Sequence, residues 1–270
     1  MTFFRYIFIV LAASCAAPPV LLAHISYNNR NFGALVIGDP PASNLTQTVS
    51  SSFGWADAVD DDWGDSHRGR FFRFSLDAVS SVAVTVERNA SGTGIAGTFL
   101  PAFSLFAGLA QESPEALAHD GAALSIATRP VDTEGSFRAL GDWSIGNDPT
   151  YNTAGDPASG VLYAARLASF TYVSHAADGT SANFGFAPGI IGDGIADGYV
   201  TATIHGLVPG NYSLFVGGAS YGSQSTETGP IYPTYGVNVS VQAVPEPTTW
   251  VLLVCAGGVM GSAFARRMHR

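Results

Sequence analysis

The middle of the chain alternates apolar and polar residues with a period of two, and glycine, proline, asparagine and aspartate interrupt the alternation. Successive side chains of a strand point to opposite faces, so this pattern predicts β-strands with one buried face each. The clearest case is a predicted hairpin whose strands cover Tyr199–Leu207 and residues 211–216, with a Pro-Gly turn between them. A short turn also joins predicted strands at Arg70–Leu76 and residues 82–87. Further strands are predicted at residues 102–106 and 235–241, and a long one ends near Ser174.

These strands predict an all-β fold, a single large β-sandwich similar to a jelly roll, over residues 24–243. Only "SPEALAHD" suggests a helical turn. Charged residues make up 12% of the chain, which also holds 31 glycines and 15 prolines, and this composition suits a loop-rich β protein. Because one parity of each strand faces inward, the sequence predicts a set of core side chains. They are Phe72, Phe74, Val82, Val84, Val86, Phe103, Leu105, Tyr212, Leu214 and Phe215.

The first 23 residues have the pattern of a secretory signal peptide. Arg5 supplies the positive charge, an apolar stretch follows, and small residues come before the polar sequence that begins at His24. We expect cleavage after Ala23, although the small residues around Cys15 also fit a cleavage site. The domain is therefore predicted to be exported.

The last residues form a second apolar segment, with prolines before it and arginines after it. Its uncharged run covers residues 250–265 and reaches roughly 24 Å as a helix, against a hydrocarbon core of about 30 Å. Prolines stop a helix at the outer end, and the terminal arginines favour a cytoplasmic C-terminus. This pattern predicts a short transmembrane helix at about residues 248–265.

The order of Pro-Glu-Pro, apolar helix and arginine cluster resembles a PEP-CTERM sorting signal, here residues 244–270. The residues that carry the resemblance are Pro245, Glu246, Pro247, Arg266, Arg267 and Arg270. The resemblance implies export, transient anchoring in the inner membrane, and cleavage near the motif by an exosortase. It further implies a final place at the cell surface or outside the cell, in an exopolysaccharide or biofilm setting. It covers about the last tenth of the chain and does not extend to the β domain.

Charge and cysteine content narrow the possible partners. The chain has a formal net charge of −9, and four of its 12 basic residues lie in the two terminal segments, so the domain itself is more acidic. This charge argues against nucleic acid or an anionic membrane as a partner. The two cysteines, Cys15 and Cys255, lie in the terminal apolar segments, so the predicted domain has neither disulfide nor thiol chemistry.

An acidic stretch, "WADAVDDDWGDSH", raises a calcium hypothesis. Clustered carboxylates repel one another unless they are solvated or share a cation, and calcium takes six to eight oxygen ligands. The candidate ligands are Asp57, Asp60, Asp61, Asp62 and Asp65. The alternative is a solvated acidic loop, and beyond calcium no cofactor is expected.

Two sequence patterns bear on an enzymatic function. An amino-terminal His24 and a second histidine would form the nitrogen site of a copper oxygenase. The available partners are His67, His119, His175 and His205. Residues 218–222 match the G-x-S-x-G nucleophile elbow, but the sequence after them does not predict a helix, so they are interpreted as a loop.

The sequence therefore predicts a non-enzymatic, exported protein of structural or adhesive function that contacts exopolysaccharide. Trp55, Trp63 and Trp143 are candidates for stacking on sugars, with burial in the core as the alternative. The competing hypothesis is a secreted carbohydrate-active or copper-dependent enzyme.

Overall fold

The computed structural model describes residues 27–56, 62–66, 68–90, 97–109, 136–145, 168–227 and 233–246. The predicted signal peptide, the helical turn suggested by "SPEALAHD" and the predicted transmembrane helix lie outside these ranges. The described strands are β1 (Asn31–Leu35), β2 (Ala42–Ser50), β3 (Trp63–Asp65), β4 (Arg70–Leu76), β5 (Ser80–Asn89), β6 (Pro101–Ala107), β7 (Ser136–Arg138), β8 (Trp143–Ile145), β9 (Ala168–Ala177), β10 (Tyr199–Leu207), β11 (Gly210–Gly218) and β12 (Thr234–Val244). A single helical turn, α1, covers Ser223–Thr226.

The strands form two principal sheets, so the predicted all-β class is confirmed for the described residues. The larger sheet has the order β1-β4-β11-β6-β9-β8, and the smaller has the order β10-β5-β12-β2. Strands β3 and β7 form a separate two-stranded sheet. Within the larger sheet β1 runs parallel to β4, whereas β11 runs antiparallel to both β4 and β6.

The predicted hairpin at β10 and β11 is wrong in its pairing, although the bounds of β10 agree with the prediction. Strand β10 pairs with β5 in the smaller sheet, and β11 pairs with β4 and β6 in the larger one. The short connection carries the chain across the sandwich, and the Tyr212 hydroxyl donates to the Val208 carbonyl at 2.6 Å across it. Strands β4 and β5 are likewise joined by a short turn but lie in different sheets.

The main hydrophobic core lies between the two sheets. Phe72 and Phe74 of β4 face Val82, Val84 and Val86 of β5 in this core, and all five side chains are at most 2% exposed. All ten predicted core residues are buried. For nine of the ten, alternation along the strand therefore identified the face that turns to the main core.

A second core covers the outer face of the larger sheet, and the sequence pattern did not predict it. Phe71 and Phe215 pack there with ring centroids 4.9 Å apart, together with Trp55, Phe106 and Phe170. Phe215 thus belongs to this second core and not to the sandwich interior. Two-sided burial explains why β6 and β11 are buried at nearly every position.

Candidate functional site

The predicted sorting motif begins where the last strand ends. Strand β12 continues to Val244, which pairs with Ser81 of β5, and Pro245 follows directly. Pro245 and Glu246 are both half-buried. The Glu246 carboxylate (Oε1) accepts a hydrogen bond from the Gly206 backbone N–H at 2.8 Å. The first two residues of the motif therefore lie against the folded domain.

Gly206 supplies this contact because of its backbone geometry. It lies at an irregularity in the pairing of β10 with β5, between Ile204 and Leu207, and its φ of +69° suits glycine. The irregularity leaves the N–H of Gly206 available to a carboxylate outside the ladder. Sequence reasoning missed this partner, since it lies 40 residues before Glu246. The remaining motif residues, Pro247 and the three arginines, lie outside the described residues.

The described part of the acidic stretch is engaged with arginine. Asp62 receives two hydrogen bonds from Arg138, at 2.9 Å from Nε and 2.8 Å from Nη2. Asp65 accepts from Arg68 Nε at 3.1 Å. Each pair offsets one negative charge without a metal ion.

The structure therefore brings arginines to both described carboxylates of the calcium hypothesis. Asp57, Asp60 and Asp61 lie outside the described residues, so the calcium hypothesis stays a prediction. The described ranges contain no group of three metal-ligating side chains. The sequence does not predict that Arg138 pairs with Asp62, because the two residues meet only through the pairing of β3 with β7.

A buried histidine lies in the second core. His175 is 7% exposed, its Nε2 accepts the Ile191 backbone N–H at 2.8 Å, and its Nδ1 contacts the Tyr172 hydroxyl. Since a backbone N–H can only donate, the neutral ring carries its proton on Nδ1 and donates it to Tyr172. Burial lowers the pKa of His175 to about 4. Burial, and secondarily the charge of Asp62, raises the pKa of Tyr172 to about 12.

Trp55 packs beside this histidine and is fully buried. Its ring centroid lies 5.7 Å from that of His175, and its Nε1–H donates to Ser104 Oγ at 2.9 Å. Ser104 Oγ in turn donates to the Ala139 carbonyl at 2.6 Å. Trp55 is 0% exposed and is therefore a core residue, so it does not serve as a platform for sugar stacking. The side chains of Trp63 and Trp143 lie outside the described set.

The histidines of the copper hypothesis are not brought together among the described residues. His205 is exposed on β10, where its Nδ1 shares a hydrogen bond with Ser81 Oγ at 2.7 Å. His175 lies on the other sheet, and both of its ring nitrogens are hydrogen-bonded. His24, His67 and His119 lie outside the described residues, so their arrangement stays a prediction.

Asp178 organises the loop between β9 and β10. The buried carboxylate accepts the backbone N–H groups of Asp197 at 3.0 Å and Gly198 at 2.6 Å. Burial raises the pKa of Asp178 to about 6, the two backbone donors oppose this shift, and the charges of Asp193 and Asp197 add to it. This residue fixes where the loop turns back into β10.

The G-x-S-x-G segment, residues 218–222, leads into the single turn α1. We predicted that no helix follows this segment, and the structure has one helical turn there, Ser223–Thr226. Four residues do not make the long helix of a nucleophile elbow. Ser223 Oγ donates to Ser220 Oγ at 3.0 Å, and Glu227 accepts from Ser52 and Tyr235, so the segment is held as a structural turn.

No protein-family model and no characterised protein sequence matches the chain. Two solved structures are similar in outline. CorA, a surface-associated copper-binding protein of Methylomicrobium album BG8, aligns with 16% identity and a TM-score of 0.47, over 82% of this chain and 98% of its own. MopE, a secreted protein of Methylococcus capsulatus in which an oxidized tryptophan facilitates copper binding, aligns with 16% identity and a TM-score of 0.41, over 79% and 87% of the two chains. Similarity at this level is a general likeness and carries no inference about ligands.

Within the described ranges, no helical segment has the length and hydropathy of a membrane span.

Proposed function

We propose that the protein is an exported, non-enzymatic β-sandwich protein whose C-terminal PEP-CTERM signal directs it to the cell envelope or the extracellular matrix. The observation that carries the proposal is the junction at Val244 and Pro245, where the last strand ends and the motif begins. A removable anchor has to start at the edge of the domain it releases, and this position meets that need. Exosortase is the proposed processing partner.

A structural or adhesive role linked to exopolysaccharide is the second part of the proposal. It is supported by buried polar side chains in the described ranges that form hydrogen bonds within the domain. His175 and Asp178 hold loop backbone, and Trp55 is tied to Ser104. Side chains that form internal hydrogen bonds stabilise the architecture and are not available to a substrate.

The jelly-roll-like arrangement is also part of the proposal. Successive strands β4, β5 and β6 alternate between the two sheets, and so do β9, β10, β11 and β12. Repeated crossing between two sheets is the connectivity that jelly rolls share. The parallel pairing of β1 with β4 departs from that pattern.

The test of sorting compares two variants of the full chain in a bacterium that has an exosortase. In the first, Pro245, Glu246 and Pro247 are replaced by alanine. In the matched control, the exposed Pro188, which lies in the loop between β9 and β10, is replaced by alanine. Immunoblots of membrane and medium fractions report the precursor and the released form.

We expect the motif variant to accumulate as a longer, membrane-bound precursor and the control to be processed like the natural chain. Deletion of the exosortase gene should give the same precursor from the unaltered chain. Release of the motif variant at the normal rate would refute the sorting proposal. Mass spectrometry of the released protein then locates both cleavage points.

The alternative of a secreted carbohydrate-active or copper-dependent enzyme stays a prediction. To bind copper, His175 would have to give up its bond to Ile191 or to Tyr172. Titration of the mature protein with cupric ion, with a His175→Gln variant alongside, tests that hypothesis directly.

A further inference from the structure

One end of the sandwich, which we call the exit end, collects three loops and the C-terminal residues. The loops are residues 36–41, 77–79 and 208–209, and the chain leaves the domain there at residues 245–246. The strand registers show that these segments share one end. The pairs are Leu35–Leu76, Leu76–Gly210, Ser80–Leu207 and Ser81–Val244.

The loops of the exit end expose large apolar side chains next to strand ends. Val36 is 54% exposed, Val79 is 53% exposed and Val208 is 61% exposed, and Ile37 next to Val36 is 41% exposed. A cleft of about 320 Å³ opens beside them, lined among others by Phe32, Pro40, Pro41 and Gln242. Three separate loops thus expose apolar side chains at the same end of the sandwich.

The predicted anchor leaves from the same end with almost no spacer. Glu246 is held on Gly206 of β10, which lies two residues before Val208. From Glu246 to Trp250, where the uncharged run begins, the chain spans at most about 14 Å even when fully extended. The headgroup region on each side of a bilayer is about 5–8 Å thick. While the chain is anchored, the exit end therefore lies at the bilayer surface.

We infer that the exit end docks on the bilayer, with the exposed apolar side chains of its three loops inserted at the headgroup level beside the anchor. This inference rests on the proposed function, because it requires residues 248–265 to span the membrane. The partner is a zwitterionic lipid surface. Asp39 and Asp77 are exposed in the same loops, so they would be repelled by anionic headgroups and attracted by a terminal ammonium group.

Docking would orient the domain and hold the junction at Pro245 close to the membrane. A membrane-embedded protease reaches only a segment near the bilayer, so the inserted loops would present the sorting motif at a constant height. Exposed apolar side chains on loops suit this role because they partition into the interface without unfolding the domain.

The experiment uses the membrane-held form, produced by export of the full chain so that the signal peptide is removed. Cys255→Ser removes the remaining native thiol, and single cysteines are introduced as Val79→Cys, Val208→Cys or, as the control, Ile195→Cys. Ile195 is 64% exposed, like Val208, but lies in the loop at the opposite end of β10. The nine residues of β10 separate the two ends by roughly 26 Å.

Each cysteine carries an environment-sensitive fluorophore, and the protein is reconstituted in vesicles of phosphatidylcholine and phosphatidylethanolamine. A lipid with a nitroxide near its headgroup serves as the quencher. We expect labels at positions 79 and 208 to be quenched several-fold more strongly than the label at position 195. Replacing part of the lipid with phosphatidylglycerol should weaken quenching at positions 79 and 208.

The outcomes separate this inference from the sorting proposal. Protein that floats with the vesicles but shows equal quenching at positions 208 and 195 overturns the docking inference and leaves the anchor in place. Stronger quenching in phosphatidylglycerol overturns the zwitterionic partner. A chain that does not float with vesicles overturns the anchor, and the docking inference fails with it.

Discussion

Replacement of His175 by glutamine should change how the stability of the domain responds to pH between about 4 and 6. In the natural chain, burial lowers the pKa of His175 from about 6.5 to about 4. Between these two pH values the unfolded chain binds a proton at this residue and the folded chain does not. Stability is therefore lost as the pH falls from 6.5 to 4. At about 1.4 kcal/mol per pH unit, the loss amounts to about 3 kcal/mol.

Asp178 acts in the opposite direction over nearly the same range. Its pKa is raised from 3.8 to about 6, mainly by burial, so the folded chain binds the proton more tightly than the unfolded chain. Its contribution to stability is fully present below about pH 3.8 and is lost as the pH rises through 6, again by about 3 kcal/mol. The two contributions therefore nearly cancel in the natural chain.

Each single substitution should reveal the contribution of the other residue. His175→Gln keeps an acceptor for the Ile191 N–H but does not titrate. As the pH rises from 4 to 6, the stability of this variant should therefore fall by about 3 kcal/mol relative to the natural chain. Asp178→Asn should show the opposite slope. For a domain of this size, the change corresponds to about 6–12 °C in the melting temperature.

Urea denaturation of the solubilised chain at several pH values measures both slopes. Tryptophan fluorescence is a suitable probe, because Trp55 lies 5.7 Å from the His175 ring. Subtraction of the natural chain's curve cancels every other titrating group. Difference curves that are flat from pH 4 to 6 for both variants would refute the reasoning.

Three further predictions follow from contacts in the described ranges. Gly218→Ala should destabilise the domain by about 2 kcal/mol or more, because the new Cβ would lie 2.2 Å from the Ser52 backbone. In the same urea assay, the control Gly222→Ala should be nearly neutral, because nothing lies within 4 Å of its new Cβ. Arg138→Ala should cost about 2 kcal/mol, since it leaves the buried Asp62 without its arginine, and rescue by Asp62→Asn in the same chain would establish the pair as the cause. Because Asp62 and Asp65 are each paired with an arginine, thermal melts in chelator, calcium and magnesium at matched ionic strength should have equal midpoints. A melting temperature that rises with calcium alone would instead support the calcium hypothesis.

The sequence by itself determined where seven strands lie, β4 to β6 and β9 to β12, and which residues of most of them face the main core, whereas β1, β2, β3, β7 and β8 were not predicted. Alternation predicted the bounds of β4 and β10 and placed Phe72, Val84 and Leu214 in the core, because side-chain direction in a strand is a local property of the backbone. The C-terminal motif was also visible in the sequence, since its three parts are contiguous.

The tertiary structure decided which strands pair and what covers each sheet. Strands β10 and β11 share a short turn but lie in different sheets, and alternation cannot distinguish this crossing from a hairpin, because both bury the same apolar face. The second core around Trp55 and Phe215 arises only because loops distant in sequence close over the larger sheet. The contacts of the candidate site have the same origin. Gly206 meets Glu246, and Arg138 meets Asp62, only after pairing of the strands brings remote backbone together.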